Sequence, residues 1–202
     1  RSRGLGDVYK RQKIYLMEKY AWSEETFQKI HWDILGDALK CKQGIQRVTI
    51  HKLIHQWQPT NRYVQRNQRR RPTTAECTEC GEIDGQLHYM ECKSEYFTEA
   101  RSFAWVKFCD KMKIYKSEST LLRVIWIGIQ NWIYRDFDGD LPHGEEINTE
   151  EYRLLTHAYE SQNEIGWDHF ITGKVSKKWS EFYALRVPER MDKYGKVIAF
   201  CR

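Results

Sequence analysis

What the chain lacks narrows it first. No apolar run approaches the roughly 18–20 residues that a bilayer-spanning helix needs. The longest, residues 121–133, is interrupted by Arg123, Gln130 and Asn131. Internal repeats and low-complexity tracts are absent, so the chain is not a repeat array. A disulfide framework would be expected to come with a secretory leader and evenly spread cysteines, and these cysteines are too unevenly placed for one. Three of the six fall within residues 77–92, while Cys41, Cys109 and Cys201 stand alone. This usage fits reduced thiols, and the expectation is an intracellular protein, nuclear or cytoplasmic, with no membrane partner. The three isolated cysteines are expected to be buried and inert.

What is present suffices for a core. Of 202 residues, 41% are hydrophobic and 14% aromatic, despite a mean hydropathy of −0.76. The length suits one domain, or a domain with a small satellite. Residues 1–12 (RSRGLGDVYKRQ) show no hydrophobic periodicity and read as translated adapter sequence, a scar to be set aside. They hold four cations against Asp7, so the remainder carries a net charge of +2 rather than the whole chain's +5. The chain does not open on Met, and further sequence upstream is expected.

Helical periodicity runs through most of the rest. Residues 23–40 predict one amphipathic helix, capped by Ser23, with Glu24 and Glu25 in its first turn and Phe27, Ile30, Ile34, Leu35, Ala38 and Leu39 on one stripe. Residues 46–56 predict a second, with Val48, Ile50, Leu53, Ile54 and Trp57 as its apolar contacts, stopped by Pro59-Thr60-Asn61. After residue 94 the period returns with Phe97, Ala100, Ala104, Phe108 and Met112. Residues 121–134 are apolar nearly all round and predict a buried central helix. Asn148 with Glu151 forms a variant capping box for a helix bearing Tyr152, Leu155, Ala158, Tyr159 and Gln162, ended by Gly166. One further helix is expected from Trp167 through Tyr183, and a short one after Pro188. The class is mostly α: residues 13–71 hold N-terminal helices and a connector, 72–93 a small CCHC zinc knuckle near the middle, and 94–202 a C-terminal helical region.

The knuckle rests on Cys77-x2-Cys80-x7-His88-x3-Cys92. Two thiolates on one tight turn, with a His and a Cys four residues apart on one helical turn, supply the four borderline-soft donors of tetrahedral zinc. Gly81 stands where such a loop needs a positive φ. Four protein ligands leave no open position, so the ion is structural and catalytic residues are not expected. A redox CxxC would sit in a βαβ pattern, which is missing here.

Just before the motif lies a basic stretch, residues 62–71, holding Arg62, Arg66, Arg69, Arg70 and Arg71 with Tyr63 among them. Such a run can track phosphates, with the tyrosine free to stack on a base; a solvated linker has the same composition. His51 and His55 have zincin spacing, but Lys52 stands where the general-base Glu belongs, which excludes that metalloprotease. Asp136, Asp138 and Asp140 begin like a calcium loop, yet Leu141 and Ile147 occupy its Gly and Glu positions. The same three with Glu145 form a remote candidate for a divalent-metal nuclease site. The eight tryptophans are expected to pack the core rather than line a ligand cage. Nothing in the pattern points to a small-molecule substrate.

The CCHC spacing, preceded by His55-Gln-Trp57-Gln-Pro59-Thr60-Asn61 and the arginine-rich connector, resembles the zinc-binding region downstream of non-LTR retrotransposon reverse transcriptases. Gln58 replaces the family's usual Leu. The segment around Gln162-Asn-Glu-Ile-Gly166-Trp167 is similar to C-terminal parts of such reading frames. The resemblance implies the C-terminal region of a larger RNA-directed DNA polymerase, gripping RNA or DNA while a polymerase domain upstream does the chemistry. The polymerase's own Tyr/Phe-x-Asp-Asp signature is missing, as is the Pro-Asp…Asp-x-Lys core of the nuclease that some elements carry after such a motif. A zinc-stapled helical module that binds protein is the alternative.

Overall fold

The computed structural model describes residues 3–67, 74–114, 119–135, 139, 141 and 149–186. Among them are eleven helices and two isolated β-bridges, so the mostly α class holds. The helices are α1 (Arg3–Tyr20), α2 (Glu24–Lys29), α3 (Trp32–Lys40), α4 (Gly44–Ile54), α5 (Asn61–Asn67), α6 (His88–Glu91), α7 (Glu95–Ile114), α8 (Ser119–Ile133), α9 (Thr149–Ile165), α10 (Trp167–Ile171) and α11 (Lys178–Arg186). Part of the segment set aside as a scar continues into α1, whose Leu16, Met17 and Tyr20 pack on the core.

α8 is the central helix. Leu121 and Ile125 are fully buried, and the helix packs against α9 and α10. Gly128 permits the close approach, because a Cβ there would overlap the Trp167 ring. Ala158, Trp179 and Phe182 complete this core. A second cluster joins Trp22, Phe27, Ile30 and Ile165.

Two predicted long helices are each broken in two, and one contact explains both. Ile30 pairs with Ser176 in an antiparallel bridge, flanked by His31 N–H donating to Val175 O (2.8 Å) and Lys177 N–H to Lys29 O (2.9 Å). Ile30 thereby leaves the helix to reach a fully buried position, separating α2 from α3. On the other side Gly173, at φ +84°, turns the chain out of α10 into the paired segment before α11. Tertiary hydrogen bonds replace the helical ones that local periodicity implies. Other readings stand: Ser23 Oγ accepts the Thr26 N–H at 3.0 Å, and Gly166, at φ +107°, follows α9. Asn148 and the expected helix after Pro188 lie outside the described residues.

Two buried polar side chains near this bridge, Gln162 and Lys174, are satisfied. Gln162 donates to Gly166 O and Lys174 O and accepts from Ser176 N–H and Trp179 Nε1, filling all four of its hydrogen-bond sites. Lys174 is fully buried; its Nζ donates to Ile54 O (2.7 Å) and Thr172 Oγ1 (2.8 Å) and lies 4.9 Å from the Tyr20 ring centre. It therefore caps the carbonyl end of α4 from across the fold. His169 sits edge-on between Tyr20 and Trp22, 4.5 Å from each ring, and burial and then the Lys174 charge hold it down to about 3.

Two apolar faces differ from expectation. On α7 only Met112 of the expected stripe is buried, Ala100 and Ala104 are exposed, and a groove of about 530 Å³ opens between α7 and α8. On α4 only Ile54 is buried; Val48 and Trp57 are more than half exposed. Cys41 is exposed and Cys109 half-buried, against the expectation of buried thiols; Cys201 lies outside the described residues. No described helix is long and apolar enough to cross a membrane.

Candidate metal centre

Residues 74–92 contain little apolar matter, and hydrogen bonds trace their path. Glu76 bridges Ile83 antiparallel, with Cys77 N–H donating to Glu82 O (2.6 Å) and Asp84 N–H to Ala75 O (2.8 Å). The turn between them closes by Gly81 N–H to Cys77 O (2.9 Å), and Gly81 takes φ +78°, the positive value its position calls for. Glu79 N–H points at Cys77 Sγ (3.4 Å). The chain then enters α6, where Cys92 N–H donates to His88 O (2.6 Å), so both side chains leave one helical turn.

Cys77, Cys80, His88 and Cys92 come together: their four donor atoms lie within 4.8 Å of one another. His88 offers Nε2, 3.2 Å from Cys80 Sγ. A tetrahedral ion with bonds of about 2.0–2.3 Å holds its donors roughly 3.5 Å apart, so this set could hold one metal ion. Cys77, His88 and Cys92 are buried while Cys80 faces solvent. At Cys92 burial opposes ionisation, but hydrogen bonds from Ser94 and the thiols of Cys80 and Cys77 outweigh it and pull the thiol down to about 7. At Cys80 the Glu82 backbone favours the thiolate, but burial and the same crowded thiols push it up to about 11. Three sulfurs at this spacing cannot all be charged without a cation among them.

The loop is tied on both sides. Toward α7, Ser94 Oγ lies 3.3 Å from Cys92 Sγ and accepts the Phe97 N–H, capping the helix (3.4 Å). Arg101 Nη1 donates to Cys92 O (2.8 Å) and Tyr89 O (3.1 Å). Toward α5, Gln86 binds the Gln58 backbone at both its N–H (2.7 Å) and its carbonyl (2.9 Å). Asn61 N–H donates to Asp84 Oδ2 (2.7 Å) and Asn61 Nδ2 to Glu76 O (2.8 Å).

α5 therefore starts on the Cys/His loop, and it carries part of the basic stretch. Arg62, Tyr63 and Arg66 are exposed, the two arginines one turn apart on a shared face. Arg69, Arg70 and Arg71 lie outside the described residues, as do Asp136, Asp138, Asp140 and Glu145. His51 and His55 are half-buried.

One signal available in the sequence marks this side of the molecule beyond those arginines. Between Asp37 and Glu76 there is no acidic residue, while nine lysines and arginines occur. At the chain's overall frequency of 28 acids in 202 residues, such a stretch would hold about five. The run takes in Arg47 and Lys52 on α4, both exposed. Neither they nor Arg62 and Arg66 form an ion pair with a described residue. Comparison with protein-family models, with curated proteins and with solved structures finds no match to this chain.

Proposed function

We propose that the chain is a zinc-binding, nucleic-acid-associated C-terminal region of a retrotransposon reverse transcriptase protein. Three thiolates and an imidazole suit zinc over the oxygen-seeking magnesium and calcium, and a closed set of four makes the ion structural. The observation that carries the nucleic-acid reading is the seating of Asn61 on Asp84 and Glu76, which roots α5 in the metal loop with Arg62, Tyr63 and Arg66 exposed. An ion that orders the loop would then also order the phosphate-binding helix. The retroelement context rests on the resemblance of the Cys/His spacing and of residues 55–61, and polymerase chemistry belongs upstream.

Native mass spectrometry of the whole chain should find one zinc, and none in Cys80→Ser. Affinity for a single-stranded oligonucleotide should fall with salt, and Arg62→Ala with Arg66→Ala should lower that log–log slope by about 1.4, at about 0.7 per phosphate contact. Absence of zinc removes the metal reading. Absence of salt-dependent binding removes nucleic acid and leaves the protein-interaction module, which the open groove between α7 and α8 favours. In that groove's neighbourhood Tyr96, Phe103 and Val106 are more than half exposed on α7.

A further inference from the structure

Trp57 has half its surface in solvent. Its indole stacks on His55, with ring centres 4.9 Å apart and planes 25° from parallel, and His55 lies parallel to His51 at 6.3 Å and 2°. Arg47, His51 and His55 recur every four residues and so share one face of α4 and its end. Lys19 Nζ donates to His55 O and lies 5.9 Å from the centre of the Trp57 ring. Burial, then the charges of Lys174, Lys19 and His51, hold His55 below its ordinary value, so a neutral ring backs the indole near neutral pH.

The backbone is bent to make this stack. α4 ends with Gln56 N–H on Leu53 O (3.1 Å) and Trp57 N–H on Lys52 O (2.7 Å), a Schellman pair. The left-handed position it demands is filled by Gln56 at φ +51°, where glycine would be unstrained. That turn brings Trp57 back onto His55. The next residue, Gln58, is held at both backbone groups by Gln86 of the metal loop. An indole whose neighbours in the chain are fixed on both sides, backed by another ring, half exposed and set in a 38-residue segment without one carboxylate is built to receive a flat, electron-rich group attached to phosphate.

We infer that Trp57, braced by His55 and His51, is a stacking platform for an unpaired base of single-stranded nucleic acid whose phosphates run along Arg47, Lys52, Arg62 and Arg66. This rests on the nucleic-acid reading above and adds to it the strand form recognised. A duplex hides its base faces and can offer this surface only phosphates.

The test uses the whole zinc-loaded chain across one salt series with three probes of similar charge. These are a single-stranded oligonucleotide (RNA and DNA arms), a duplex of half its length, and inorganic polyphosphate. The tighter single strand should bind about tenfold better than duplex or polyphosphate, and the two arms identify which strand is preferred. Trp57→Ala should remove that advantage while leaving duplex and polyphosphate binding and the salt slope unchanged. Trp57→Phe should keep most of it. Equal binding of all three probes, unaltered in a Trp57→Ala variant that still takes up zinc, would overturn the platform and leave a phosphate-only site. Failure of every probe to bind would overturn the nucleic-acid reading itself.

Discussion

Around α8, seven residues between Leu121 and Ile129 are buried, and α9, α10 and α11 add Leu155, Ala158, Trp167, Phe170, Trp179 and Phe182 to the same core. In the Cys/His loop the buried side chains are Cys77, His88 and Cys92, and Ile83 is half exposed. The first region removes enough apolar surface from water, at about 25 cal/mol per Å², to hold its shape by packing. The second buries its candidate ligands and little else, so packing alone gives it little to hold its shape. The two regions teach that one chain can contain both a packed body and a thinly packed hand gathered around four candidate metal ligands, and that the hand holds Gln58 and the start of α5.

The largest effect should come from removing the metal. Structural zinc supplies on the order of 10 kcal/mol or more to folding of such loops. With chelator, amide protection should vanish at Cys77, Gly81, Asp84 and Cys92, and weaken at Asn61, whose N–H hangs on Asp84. Hydrogen exchange in α8 and α9 should stay slow. Loss of protection in both regions together would end the distinction, since the body would then need the ion as well.

Acid should separate the regions from the other side. His169 is buried without a partner for Nδ1, in an aromatic slot, and its folded value of about 3 lies below the ordinary 6.5. Between those values the unfolded chain binds the proton and the folded chain does not. Its contribution to stability is therefore whole above pH 6.5 and is lost as pH falls toward 3, at up to about 1.4 kcal/mol per pH unit. His31 and His55 are also lowered, chiefly by burial, and act with the same sign. In urea unfolding, stability lost between pH 6.5 and 4.5 should shrink by up to about 3 kcal/mol in His169→Phe relative to the parent. Metal loss at low pH is common to both proteins and cancels in the difference. An unchanged pH profile would mean that His169 is not held neutral.

Much of the body and all four candidate ligands are legible from spacing alone. α8 declares itself by apolar residues on every side, α9 by its single stripe, and the ligands by the arithmetic of Cys77, Cys80, His88 and Cys92. The breaks at Ile30 and around Gly173 are not legible, because a bridge between residues 146 positions apart decides them and no window spans it. Trp57 is misread for a related reason: periodicity identifies an apolar side chain but not whether anything covers it. The basic character of residues 38–75 was legible in another way, through the absence of acids between Asp37 and Glu76.

The finest test asks whether body and hand are independent or merely different. Arg101 on α7 joins them, donating to the carbonyls of Cys92 and Tyr89 at the end of α6, where a helix leaves acceptors unpaired. Its other nitrogen, Nη2, reaches Thr98 Oγ1 on its own helix, which fixes the fork. Arg101→Met keeps the aliphatic stem and removes both bonds to the loop. At about 1 kcal/mol net for such half-exposed bonds, zinc affinity measured by competition with a chelating dye should fall roughly fivefold. Lys should restore only part of that, since a single ammonium cannot reach the carbonyls while a second nitrogen is anchored on Thr98 Oγ1. The urea midpoint of the body should not move. A zinc affinity equal to the parent's would show that α7 holds the loop without tuning it, and that the only coupling left runs the other way, through Asn61 and Gln58 to α5 and the Trp57 stack.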